Sequence, residues 1–140
     1  MEEKEIQERY LVLQQLQAES EAVQRRIVEL ELIDSQLEKT IESLEYFNSL
    51  DDGVEALMNL GGGVFAYVDV QTAKKMLVDV GAGIVVEKEV SEAIEFLKKK
   101  RETIQQNIAQ LEQILQQIVE RVKAIQEELA KALKEKEEKK

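Results

Sequence analysis

The 140-residue chain has no cysteine, no proline, no histidine and no tryptophan, and only 4% of its residues are aromatic. Without cysteine there is no disulfide framework, no thiol nucleophile and no thiolate metal site. Without histidine the commonest general base and the commonest metal ligand are gone. Without proline nothing interrupts a long helical backbone. No apolar run approaches the ~20 residues of a membrane span. The opening MEEKEIQERY is acidic and polar, unlike a signal peptide. These absences argue against a secreted or membrane-spanning protein and predict a cytoplasmic location, with no membrane partner.

What is present is charge. Asp, Glu, Lys and Arg make up 34% of the chain, and the net charge is −10. An acidic surface repels phosphate backbones, so no nucleic acid partner is expected. The length suits one domain, but a composition dominated by Ala, Glu, Lys, Leu and Gln suits a coiled coil.

The periodicity agrees. In the first half, Ile6, Leu13, Ser20, Ile27, Asp34, Ile41 and Asn48 take one seam position. Arg9, Leu16, Val23, Leu30, Leu37 and Leu44 take the other. This predicts a helix from Glu2 to Leu50, on the order of 70 Å long. Asp51-Asp52-Gly53 ends it, with Gly53 able to take a left-handed cap conformation. In the second half, Val90, Leu97, Ile104, Leu111, Ile118, Ile125 and Ala132 alternate with Ile94, Arg101, Ile108, Leu115, Val122 and Leu129. Ser91 either caps this helix or lies inside it. The tail KALKEKEEKK has no apolar residue after Leu133, so a frayed end is expected.

Folding the two seams back on each other pairs Ile41 with Leu97, Leu44 with Ile94, Leu30 with Ile108, Leu16 with Val122 and Leu13 with Ile125. The length of the insert leaves a slip of one heptad open. In this register Arg101 lies beside the Asp34 layer. It either extends to water or reaches Asp34 or Glu38, a contact that would fix the register at some cost in stability.

Between the helices the period falls to two. Val54–Leu60, Val64–Val70, Lys75–Val80 and Ile84–Lys88 read as four short strands in two hairpins, with Gln71–Lys74 as a plausible hairpin connection. Both faces carry apolar residues and the edges are open, so such strands need partners. Assembly is assigned to Val64, Phe65, Tyr67, Val68, Val70, Met76, Val78, Val80, Ile84 and Val86. A closed barrel of strands from several subunits would remove the edges. Gly61-Gly62-Gly63 and Gly81-Ala82-Gly83 are followed by strands, not by a helix N-terminus, so they are read as turns and bulges and not as a phosphate cradle. The fold class is α+β, a long antiparallel coiled-coil hairpin with a central insert of two β-hairpins that oligomerises into a β-barrel body. Its parts are an N-terminal coiled-coil helix (1–52), a β-hairpin assembly region (53–88) and a C-terminal coiled-coil helix (89–140).

This order of helix, LGGGVFAYV, MLVDVGAGIVVEK and helix resembles the prefoldin family, and within it the archaeal α-type subunit, across nearly the whole chain. Where such chains often carry a proline before the first glycine turn, Asn59 stands here. The resemblance implies an ATP-independent holdase chaperone. It implies a hetero-hexamer of two α-type and four β-type subunits, with a double β-barrel and six coiled-coil tentacles. Unfolded protein clients and a group II chaperonin are its implied partners.

A client without fixed shape needs exposed apolar surface on an adaptable support. The helix ends distal to the strands offer Ile6, Tyr10, Leu11, Val12 and Leu13, with Leu129, Ala130, Ala132 and Leu133. The competing reading is that they only complete the coil. Val28 and Leu32 face outward without an assigned role, and Phe96 is placed under the strands. No catalytic residue, cofactor or metal is expected, because no carboxylate pair sits in a recognisable pocket and no nucleophile has a base beside it. A structural protein forming filaments or spacers is the alternative.

Overall fold

The computed structural model describes residues 2–71 and 74–138. Helix α1 (Glu3–Ser49) is followed by strands β1 (Val54–Gly61), β2 (Val64–Val70), β3 (Lys75–Gly81) and β4 (Ile84–Glu89), and by helix α2 (Val90–Glu138). The helices form because good helix formers fill them and no residue lacks its amide donor. Glu3 and Glu5 complement the dipole at the start of α1. At its end the Leu50 amide donates to the Phe47 carbonyl, tightening the last turn.

Three local expectations are corrected, and the open alternative at Ser91 is decided. Gly53 is not left-handed. Glycine is needed there because a Cβ would collide with the carbonyl oxygen of Val70. Ser91 lies within the first turn of α2, not at its cap; the chain passes from β4 into α2 without a loop, and the Val90 amide donates to the Lys74 carbonyl at 3.0 Å. The tail is helical as far as Glu138. Gln71–Lys74 is not a hairpin turn. It joins two separate two-stranded sheets, β1–β2 and β3–β4, and Thr72 and Ala73 within it lie outside the described residues.

The two hairpins are built alike. β1 and β2 pair antiparallel with Val54 opposite Val70 and Leu57 opposite Tyr67. β3 and β4 pair with Lys75 opposite Glu89 and Val78 opposite Val86. Each register shifts just before its turn, and there Asn59 accepts a hydrogen bond from the Gly61 amide as Asp79 does from the Gly81 amide, both at 2.9 Å. Asn59 thus holds the bulge before the first turn as Asp79 holds the one before the second. Both turns run through positive φ at both central residues, Gly62-Gly63 and Ala82-Gly83, the pattern of tight hairpin turns that match strand twist.

The chain divides into two compact units. In the first, the described parts of Met1–Ile33 and Ile104–Lys140 bury Ile6, Leu16, Ile118, Ile125, Leu129 and Ala132 in one cluster, with Val12, Leu13, Val23 and Val122 packed against it. The expected partners Leu16 and Val122, and Leu13 and Ile125, are all in this cluster. In the second unit, Asp34–Thr103, the cluster is Ile41, Val90 and Ile94, with Leu44, Leu97 and Met76 against it. Met76 therefore docks the second hairpin on the helical base. Lys88 adds a cation–π contact, its Nζ 5.8 Å from the ring centre of half-buried Phe96.

Candidate assembly and client-binding surfaces

The alternation of the strands decides what the hairpins show to solvent. Of the residues assigned to assembly, Val68, Val70, Met76 and Val78 are half-buried. Val64, Phe65, Tyr67, Val80, Ile84 and Val86 are exposed, Tyr67 to 79%. Five more large apolar side chains, Leu57, Met58, Leu60, Leu77 and Val85, are exposed beside them, and sequence reasoning passed over these. The missing signal was pairing. Leu57 lies opposite Tyr67 and Asn59 opposite Phe65, so β1 extends the face that β2 begins. A two-stranded ribbon is marginal alone, and this one leaves its largest side chains in water.

Around the start of α1 and the end of α2 the candidate client residues divide by helical position. Ile6, Leu129 and Ala132 are buried within the coil. Val12 and Leu13 are half-buried against it. Tyr10, Leu11, Ala130 and Leu133 are exposed, Leu11 to 60%. Arg9 reaches across to Glu128 at 3.0 Å, but both side chains are about half exposed, so this pair contributes little. The exposed apolar residues at this end therefore stand on two helices whose seam is closed. Ile114 and Val119 are further exposed apolar residues on α2 that sequence reasoning did not single out.

In the second unit Arg101 does not extend to water. Its Nε lies 2.8 Å and its Nη2 3.1 Å from the two carboxylate oxygens of Asp34, and Glu38 stands 3.7 Å away. The paired side chains are only 24% and 18% exposed, less than in any other ion pair among the described residues. The Asp34 hydrogen bond, opposed by desolvation, holds the guanidinium pKa above its ordinary value. A raised pKa of this kind adds stability below the unfolded-state value and loses it only as pH rises through the folded one. For arginine that window lies above the range in which proteins stay folded.

The forked pair sits at seam positions that would otherwise be apolar, so a slip of one heptad would leave both charges among apolar layers. Arg101→Leu strands the Asp34 carboxylate and is expected to lower the melting temperature. Asp34→Leu combined with Arg101→Leu is expected to melt at or above the wild type, because packing replaces a desolvated pair. Equal melting of the single variant and the wild type would show that the pair is dispensable.

Among the described residues no group of three or more carboxylates is arranged to hold a metal ion, and no helix is long and apolar enough to cross a membrane.

Comparison with known proteins agrees with this architecture. A family model described as prefoldin subunit matches residues 16–135. The chain is 56% identical over 128 residues to prefoldin subunit alpha of Archaeoglobus fulgidus, covering 91% of this chain and 93% of that one. It is 33% identical over 119 residues to prefoldin subunit alpha of Thermofilum pendens, covering 85% and 90%. Among solved structures, a filamentous PFD from Methanocaldococcus jannaschii shares the fold with a TM-score of 0.72 at 20% identity, over 81% of this chain and 93% of that one. With two exposed β-hairpins between two long seamed helices and this degree of identity, the chain belongs to the prefoldin family, as a subunit of the α type.

Proposed function

We propose that this chain is a non-catalytic subunit of a cytoplasmic, ATP-independent holdase that captures unfolded polypeptides and delivers them to a group II chaperonin. The observation that carries the proposal is the row of exposed apolar side chains on both hairpins. Such faces call for neighbouring subunits, and the family supplies them as β-type prefoldin subunits, four to every two of this type. Clients are held at the distal ends of the coiled coil by Tyr10, Leu11, Ala130 and Leu133. Fraying of the last layers adds Ile6, Val12, Leu13, Leu129 and Ala132. Burial of one such side chain contributes about 1.5–3 kcal/mol at most, so holding depends on several ends gripping one client at once. The acidic surface keeps an assembly with apolar ends in solution.

The test is native mass measurement with and without a β-type partner, followed by suppression of aggregation of a denatured protein without ATP. A defined hetero-oligomer that suppresses aggregation is the expected result. A solitary monomer, or an oligomer that leaves aggregation unchanged, would overturn it. Long homopolymers formed without a partner would favour a structural role in filaments or spacers instead.

A further inference from the structure

The coil of the first unit is not packed evenly along its length. Toward the chain termini one cluster joins Ile6, Leu16, Ile118, Ile125, Leu129 and Ala132. After Leu16 the next buried residue on α1 is Ile27, and before Ile118 the nearest on α2 is Ile104; neither belongs to that cluster. The interruption falls at Ser20, which is half-buried at a seam position where the repeat calls for an apolar side chain. Beside it a groove of about 360 Å³ opens between the helices, lined by Leu13, Ser20, Ile118, Val119 and Val122 among others. Along the sequence between the Arg9–Glu128 and Asp34–Arg101 pairs, no ion pair or side-chain hydrogen bond joins α1 to α2 among the described residues. Apolar contact alone holds the helices together there, and a short hydroxyl side chain supplies little of it.

We infer that the Ser20 layer is where the coil comes apart. The part of α1 before it and the part of α2 after Ile118 separate as one cooperative segment, while the layers of Ile27, Leu30 and Ile104 stay closed. A coil without such a layer frays gradually from its ends; a weak layer behind a well-packed cluster makes the opening two-state. Opening uncovers Leu16, Ile125 and Leu129 together, all buried in the closed coil. The use of that surface rests on the function proposed above, and the inference adds to it the residue that sets how much of the coil opens and how often. A client that binds only the open form is held more weakly in proportion to the fraction open, so the gap at Ser20 tunes the grip without touching the exposed residues.

The test is amide exchange of the full chain in its assembly, as wild type, Ser20→Leu, Ser20→Val and Ser20→Ala. In the wild type, residues 7–18 and 119–133 are expected to exchange at one shared rate, with a step to slower exchange in residues 24–32 and 104–114. Ser20→Leu fills the groove and is expected to slow the first pair of segments by about tenfold, with little change in the second pair. Ser20→Val, a smaller filling, acts in the same direction if leucine overpacks the layer, and Ser20→Ala, which leaves the gap, is expected to match the wild type. Suppression of aggregation of a denatured protein is expected to weaken with Ser20→Leu in proportion to the slowed exchange. Exchange that varies smoothly through Ser20, or that both fillings slow equally along the whole coil, would overturn the inference. The expected exchange with unchanged holding by Ser20→Leu would overturn the role of opening in capture. Absence of holding by the wild type would overturn the function proposed above, while exchange still decides the opening.

Discussion

Serine in place of Tyr10, Leu11 and Leu133 together is expected to reduce suppression of client aggregation by at least about tenfold, with the oligomer and its melting temperature nearly unchanged. The three side chains are exposed near the start of α1 and the end of α2, so their removal leaves no cavity. Each contributes at most about 1.5–3 kcal/mol to a bound client. The loss is compounded because each copy of this chain in the proposed assembly carries the same change. The control is Val28→Ser with Leu32→Ser, equally exposed on the same helix but farther from that end, which is expected to leave holding intact. Light scattering of a denatured client at fixed subunit ratio measures both. Unchanged holding by the triple variant would place the client elsewhere on the molecule.

Ile94→Ala is expected to have the largest effect on stability, about 2–5 kcal/mol. Ile94 is buried with Ile41 and Val90, and Val90 is 1% exposed. Against a typical total of about 5–15 kcal/mol this is a large share. The same cluster seats Met76, so the β3–β4 hairpin is expected to lose protection from amide exchange along with the helix ends. Thermal melting and exchange measured on the same sample check both parts. A melting temperature within about a degree of the wild type would mean that the base cluster closes over the cavity at little cost. Leu32→Ala, at 60% exposure, serves as the near-neutral comparison.

These expectations differ in how far the sequence alone could have supported them. The seam was legible because a helix repeats its contacts every three to four residues, and that rhythm survives from Ile6 to Leu44 and from Val90 to Ala132. The strands were legible because the period drops to two and glycines punctuate it. The grouping into two hairpins was legible too, but the register within each hairpin was not. It put Leu57 beside Tyr67 and Glu55 beside Asp69, contacts between residues on separate strands that no local pattern encodes. The reason for Gly53 was also hidden, since the clash it avoids is with the backbone of Val70, remote along the chain.

Composition and period by themselves determined the two helices and the four strands, because these follow from short-range spacing. Only the tertiary structure decided that Val12, outside the assigned seam, packs half-buried against the coil while Tyr10 and Leu11 beside it remain in water. It also decided that Arg101 bonds to Asp34 instead of extending into solvent. Both depend on what the opposite helix places within a few ångströms, and a sequence states spacing along one chain segment without stating what another segment brings to it.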